Sequence, residues 1–274
     1  EERKMIRPDS TQTGTVLSAD QQSRVATGRS YQAVTAQVAG VSTGGGNPNI
    51  KGAMNNHNRY LVDGLDITDP VTNTFSSNIN FDSIESVEVA TGGTEAQYNS
   101  LGGIINLTTS AGSNEWKLDA SFYVNHQALS MGSQFGSQFY DYEKPFARLR
   151  TSPNASYQAN VNVGGPLVKN KLWFHFSFQY RYNVNSVNIA PPFNLQHAPG
   201  QSSVYLARLK IAYAPTPKHR LTLSVSTDPA FFNNTNQDNL RLGVAEDHQD
   251  QGGFFSILTW DYFATEKINT NIQA

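Results

Sequence analysis

The second half of the chain alternates apolar and polar side chains with period two over long runs. Phe174, Phe176, Phe178, Tyr180 and Tyr182 take every second position, and His175, Ser177, Gln179 and Arg181 fill the gaps. Such alternation predicts a strand with one apolar and one polar face. The pattern also sets Trp116, Leu118, Ala120, Phe122 and Val124 against Lys117, Asp119, Ser121, Tyr123 and Asn125. It sets Tyr157, Ala159, Val161 and Val163 against Ser156, Gln158, Asn160 and Asn162. The run from Tyr205 to Tyr213 carries Arg208 and Lys210 on its polar face, and Leu221, Leu223 and Val225 oppose Thr222, Ser224 and Ser226. A sixth run, Phe254 to Phe263, alternates less cleanly, and a seventh begins near Ile268. Several runs last about 10 residues, the length that crosses a bilayer when tilted, against about 5–6 in soluble sheets. Tight connections are expected at Gly164-Gly165-Pro166 to Asn170, Pro215 to Lys218 and Thr265 to Lys267. Long ones are expected at His126 to Asn154, Val184 to Ser202 and Asp228 to Gln251. Short turns on one side and long loops on the other are the pattern of transmembrane β-barrels. Trp116, Trp173 and Trp260 fall near the short-turn side, as interfacial rings do, but Trp173 is out of phase with Phe174 and Phe176 and is expected in the turn.

Residues 1–112 read differently, as an α+β unit of short elements. Ser18 to Arg29 is expected to hold a helix capped by Ser18, and Tyr31 to Val38 another. Tyr60 to Val62, Ser86 to Val89 and Gly103 to Thr108 read as short strands, and Thr43 to Pro48 as a turn. The division therefore falls at 112/113, with about seven strands in 113–274. Composition narrows the classes further. Only 15% of the 274 residues are charged and 38% are hydrophobic, little charge for a water-facing surface. A net charge of −2 gives no argument for nucleic acid. The absence of cysteine excludes disulfides and thiol chemistry. No run of about 18 apolar residues encodes a transmembrane helix. Glu1-Glu2-Arg3-Lys4 has no signal core, so a leader is expected to be removed or to lie outside these residues.

Four separated segments in the first half carry a resemblance. They are Asn49-Ile50-Lys51-Gly52, Arg59 to Gly64, Ile84 to Gly92, and Ala96 to Thr108. In this order they resemble the I-R-G, L-V-D-G, I-E-R-I-E-V-x-x-G and A-x-Y-G-x-x-x-G-G-V-I-N-I segments of TonB-dependent receptor plugs. Lys51 replaces the family's arginine, and Asn99 replaces a glycine, which left-handed backbone tolerates. The motif positions are Gly52, Asp63, Gly64, Gly92, Tyr98, Gly102, Gly103 and Asn106. Asp9 to Val16, Thr27 to Tyr31, Ala111 to Glu115 and Gly164 to Phe174 resemble the Oar-like subfamily, whose members usually carry a carboxypeptidase-regulatory-like sandwich upstream. Neither that sandwich nor a TonB box is identifiable in these residues.

The resemblance implies a mainly β fold, a plug followed by part of a barrel of about 22 strands, which is too wide for its own side chains to fill. It implies an outer-membrane receptor that takes up a peptide, glycan or siderophore with energy from the TonB–ExbB–ExbD complex. Lipid and an extracellular ligand are then its other partners. The alternative is a surface or secretion-linked docking receptor without nutrient uptake. Ligand contacts are expected at the plug tips Asn55, Asn56, His57, Asn73, Thr74 and Phe75, and polar plug–barrel contacts at Glu85 and Glu88. Aromatic loop residues such as Phe135, Phe139, Tyr140 and Tyr142 would suit sugar or peptide. No cofactor is expected. Asp63, Asp66 and Asp69 lack calcium-loop spacing and read as turn formers. Nothing resembles a hydrolase elbow. Seven strands cannot close around such a plug, so further strands are expected from additional sequence or a partner chain.

Overall fold

The computed structural model describes residues 13–19, 21, 29–43, 46–93, 96–126, 129, 152–186, 199–234, 247–265 and 268–273. The expected helix from Ser18 to Arg29 and the aromatic loop positions from Phe135 to Tyr142 fall largely or wholly outside them. At its start, Ser18 Oγ accepts from Gln21 N and Gln21 Oε1 accepts from Ser18 N, the reciprocal pairing of a capping box.

The first half folds around one small sheet. Its strands are β1 (Thr13–Ser18), β4 (Arg59–Val62), β5 (Leu65–Asp66), β6 (Ile84–Gly92) and β7 (Ile104–Thr109), in the spatial order β1-β6-β7-β4-β5. Only β4 and β7 run parallel. Two-residue strands β2 (Val41–Ser42) and β3 (Asn49–Ile50) pair beside it. A short helix, α1 (Tyr31–Thr35), starts at Ser30, whose Oγ accepts from Ala33 N. Tyr31, Val34, Tyr60, Val62, Val87, Ile105 and Leu107 are buried together and form the core. Burial of each aliphatic side chain contributes about 1.5–3 kcal/mol.

The second half is an antiparallel meander: β8 (Lys117–His126), β9 (Ser152–Val168), β10 (Leu172–Ser186), β11 (Gly200–Thr216), β12 (His219–Thr227), β15 (Phe254–Thr265) and β16 (Ile268–Gln273). Alternation sets the faces as the sequence predicts. Leu118, Phe122, Phe176, Leu209, Leu223 and Leu258 lie on the exposed face, while Asn160, Asn162, Ser177, Gln179, Arg208, Lys210, Ser224 and Ser226 are buried on the other. That inward face is covered by the first half, which explains how a row of polar residues comes to be buried.

Three expectations change. Gly164, Gly165 and Pro166 lie inside β9, and the turn is Lys169-Asn170-Lys171, with Asn170 left-handed at φ 63°. The physical reason is contact across the sheet: a Cβ on Gly165 would come within 2.8 Å of the Trp116 ring. Trp173 is part of β10, facing inward, where its indole N–H donates to Asn114 Oδ1 at 2.8 Å. The long stretch from Asp228 to Gln251 contains two more strands, β13 (Ala230–Asn233) and β14 (His248–Gln251). They continue the β12–β15 hairpin past a break at Asp228-Pro229 and Gly252-Gly253, with β13 paired to β11. The uneven alternation of Phe254 to Phe263 also has a cause. Phe255 and Ile257 point inward into the first half's core, so β15 is apolar on both faces there.

Candidate functional site

The junction between the first half and the inward face of the strands is built mainly from polar side chains. The segment that follows β4 turns left-handed at Asp63 (φ 51°) and Gly64 (φ 88°). This turn aims the Asp63 carboxylate at the wall. Its oxygens accept from Arg208 at 2.7 Å and Lys210 at 3.1 Å on β11, and from Thr109 N at 2.9 Å and Thr109 Oγ1 at 2.7 Å. Side-chain exposure is 14% at Asp63, 4% at Arg208 and 10% at Lys210. Burial pushes the Asp63 carboxyl up, but Lys210, Arg208 and the Thr109 hydrogen bonds outweigh it and hold it below the usual carboxylate range. Lys210 Nζ also donates to Thr109 O at 3.0 Å, so three buried charges share one dense set of hydrogen bonds.

Further contacts tie other strands. Asn80 Nδ2 donates to Ser177 Oγ on β10 at 2.6 Å and lies 3.5 Å from Asn162 Oδ1 on β9. Arg29 pairs with Asp82 and stands 3.8 Å over the Tyr123 ring of β8. Gln273 Nε2 of β16 donates to Asp63 O. At the strand break, Asp228 accepts from Gly253 N at 2.8 Å and from Asn78 N at 2.7 Å.

Above this last contact lies a cleft of about 240 Å³, lined by Phe75 to Asn78, Asp228 and Gln251 to Gly253. It lies at the long-loop ends of β12 and β15. The loop that leads into it is self-braced: Asp69 accepts from Val71 N and Thr72 N, and Asn73 is left-handed at φ 53°. Those two donors hold the Asp69 carboxyl below its ordinary range.

The expected contact residues are distributed as follows. Asn56, His57 and Asn73 are exposed, Asn55 and Thr74 half-buried. Phe75 packs its ring 4.8 Å from Tyr31 and 5.9 Å from Tyr60 and also lines the cleft. Tyr60 Oη donates to Asn55 O, which brings the Asn55–His57 turn and the Phe75 segment to one end of the same core. Glu85 is exposed and Glu88 half-buried on β6. Neither forms an ion pair among the described residues, although Glu85 acts electrostatically on Lys210 of the wall; Asp63, Asn78, Asn80 and Asp82 are among the plug residues that make polar contacts with the wall. Asp66 accepts from Thr68 N, the turn role expected of it. Of the motif positions, Gly52 (φ 84°) is left-handed like Asp63 and Gly64, and so is Asn99 (φ 43°) within the last motif segment. Gly103 N donates to Asn58 Oδ1 and Gly64 N to Asn106 Oδ1. Tyr98 O accepts from Arg59 Nε, and Gly92 closes β6. Sequence reasoning missed the wall role of Asp63. Its signal was two cations, Arg208 and Lys210, at consecutive inward positions with no acid on the neighbouring strands.

Comparison with known proteins agrees with this architecture. Residues 7–104 match the TonB-dependent Receptor Plug Domain model. Over 154 residues, 55% of this chain, the sequence is 29% identical to the TonB-dependent transporter Oar of Myxococcus xanthus. The fold resembles the siderophore receptor PirA from Acinetobacter baumannii, with TM-score 0.68 and 17% identity over 95% of this chain. It also resembles the outer membrane transporter YddB from Escherichia coli, with TM-score 0.69 and 12% identity over 91% of this chain. The match spans 14% of Oar and 39% and 36% of the two solved chains.

Proposed function

The chain carries a TonB-dependent receptor plug domain followed by part of its outer-membrane barrel, and on that premise we propose that it takes up an extracellular ligand. Its family is one of receptors and transporters, not enzymes. We place the division between plug and barrel at 112/113. The ligand, a peptide, glycan or siderophore, binds between the barrel's outer loops and the plug tips Asn55, Asn56, His57, Asn73, Thr74 and Phe75. The TonB–ExbB–ExbD complex supplies the energy that displaces the plug. One observation carries this reading: the plug lies against the inward face of the strands, and its Phe75 to Asn78 segment borders a cleft at the long-loop end. Phe75 belongs both to the cleft lining and to the plug core.

The test begins with the full-length receptor and whatever molecule copurifies with it. Uptake of that molecule by cells should stop when TonB is removed. Alanine at Asn55, Asn56, His57, Asn73 and Thr74 together should weaken its binding without lowering the amount of receptor in the membrane. Unchanged binding would remove this site, and uptake that persists without TonB would remove the transport reading.

A further inference from the structure

At the short-turn end of the β12–β15 pair, three rings meet on the outer face of the sheet. His219 is registered with Tyr262, and Leu221 with Trp260. These positions share the parity of the exposed Leu223 and Leu258, so their side chains face out toward lipid. Trp260 Nε1 donates to His219 Nδ1 at 3.2 Å, and the two ring planes lie 9° apart. Such a bond between near-parallel rings lays them side by side as one flat shelf. Tyr262 stacks on the His219 end, with centroids 4.8 Å apart and planes at 22°, an arrangement that aromatic rings favour.

The indole bond decides where the imidazole carries its proton. An indole N–H only donates, so Nδ1 is the accepting nitrogen and the hydrogen of the neutral ring sits on Nε2. Nε2–H is then a fixed donor on the nitrogen that Trp260 does not engage, at the rim of an apolar face. A cation stands next to it. Lys218 is exposed in the turn before His219, and that turn is held because Lys218 O accepts from Phe263 N at 2.8 Å. The neighbouring turn carries Lys169 and Lys171, both exposed, and Lys171 O accepts from Ala214 N near the end of β11. The acid of β15, Asp261, has the opposite parity and accepts from Asn271, so it does not oppose this charge on the outer face. Trp and Tyr alone settle at headgroup level on any such barrel. A donor with its tautomer fixed, beside lysines and at the level of the periplasmic turns, selects further: it suits a phosphate oxygen held at one point.

We propose that His219, Trp260, Tyr262 and Lys218 form a binding site for a single glycerophospholipid of the periplasmic leaflet. The lipid's phosphodiester accepts from His219 Nε2 and pairs with Lys218, while its acyl chains lie along Leu221, Leu223 and Leu258. The site depends on the barrel's membrane setting and is independent of the ligand the receptor takes up.

The test is local to His219. The full-length receptor in neutral detergent is treated with diethyl pyrocarbonate, and acylation of His219 is mapped by mass spectrometry. Phosphatidylglycerol should slow the labelling. A diacylglycerol with the same chains should not, and neither should inorganic phosphate. Lys218→Gln should raise the phosphatidylglycerol concentration for half protection about five-fold, the loss of one lysine at a membrane surface. Lys51→Gln, which removes a plug cation, should leave it unchanged. His219→Phe keeps a stacking ring but no donor. In native mass spectrometry it should retain one phosphatidylglycerol fewer than wild type, with heat-modifiable mobility showing that the barrel has assembled. Labelling that ignores phosphatidylglycerol overturns the proposal. Equal protection by the diacylglycerol reduces the site to chain contact, and equal protection by inorganic phosphate reduces it to a free-anion site; either result overturns the phospholipid. So does an unchanged half-protection concentration in Lys218→Gln, or an unchanged lipid count in His219→Phe.

Discussion

Asp63→Asn isolates the charge of the plug–wall triad. Asparagine keeps the shape and tolerates the left-handed backbone of this position, so the turn survives while the negative charge is lost. Two cations with side-chain exposures of 4% and 10% then lose the carboxylate that pairs with both. Breaking a buried ion pair by removing one partner costs about 3–5 kcal/mol, mostly from the stranded opposite charge. Urea slopes for small domains are about 1–3 kcal/mol per molar, so at a slope near 2 the plug's midpoint falls by about 2 M. The assay is protease accessibility of the plug in the full-length receptor against urea, with heat-modifiable mobility reporting that the barrel remains intact. Adding Arg208→Met and Lys210→Met should recover most of the loss, because no charge is then left unpaired. A midpoint unchanged in Asp63→Asn, or no recovery in the triple variant, would refute the reasoning.

Other predictions follow from the same geometry. Because the Asp63 carboxyl is held below its ordinary range, its stabilisation is present above the ordinary carboxylate pKa and is lost as pH falls below it. The plug's urea midpoint should therefore drop in strong acid in wild type, and that drop should shrink in Asp63→Asn. Phe176→Arg should hinder barrel assembly by about 2–4 kcal/mol if it lies near the bilayer midplane, read as lost heat-modifiable receptor. Ser177→Arg should assemble but raise protease access to the plug, since Ser177 is fully buried against Asn80. Gly103→Ala should destabilise the plug by about 1–3 kcal/mol, read as a lower urea midpoint. Its Cβ would lie 2.5 Å from Ala90 O, and backbone there cannot retreat.

The strands were legible because period two is imposed by the backbone itself. Lipid on one side and polar contacts on the other then select residues of opposite character at each step. Asn99, inferred as a left-handed substitute for glycine, shows how a local conformational demand also leaves its mark. What stayed hidden depends on pairing over long separations. Asp63 and Arg208 are 145 residues apart, and nothing in an L-V-D-G segment says which wall residue its carboxylate meets. Phe255 and Ile257 blurred the sixth run because the plug makes an inward face apolar, a demand invisible in the strand alone. Ser177, on the polar face of its run, is sealed against the plug. The same sequence pattern suits a residue that faces water and one that faces a polar neighbour.

On the transport reading, strand length has a consequence for what can enter. β9 and β11 each run 17 residues and β10 runs 15. At about 3.3 Å per residue and a tilt near 45°, a 17-residue strand rises about 40 Å, whereas the lipid-facing apolar band of such barrels is about 25 Å tall. If the turns sit at the inner surface, roughly 15 Å of hydrogen-bonded sheet stands as a collar beyond the hydrocarbon. A collar of paired backbone has a fixed bore, set by strand number and tilt, and does not adapt to its cargo as a loop does. The upper size limit for entry should therefore be a property of the sheet. Exchanging the outer loops would alter which molecules are captured while leaving the largest molecule that can pass unchanged.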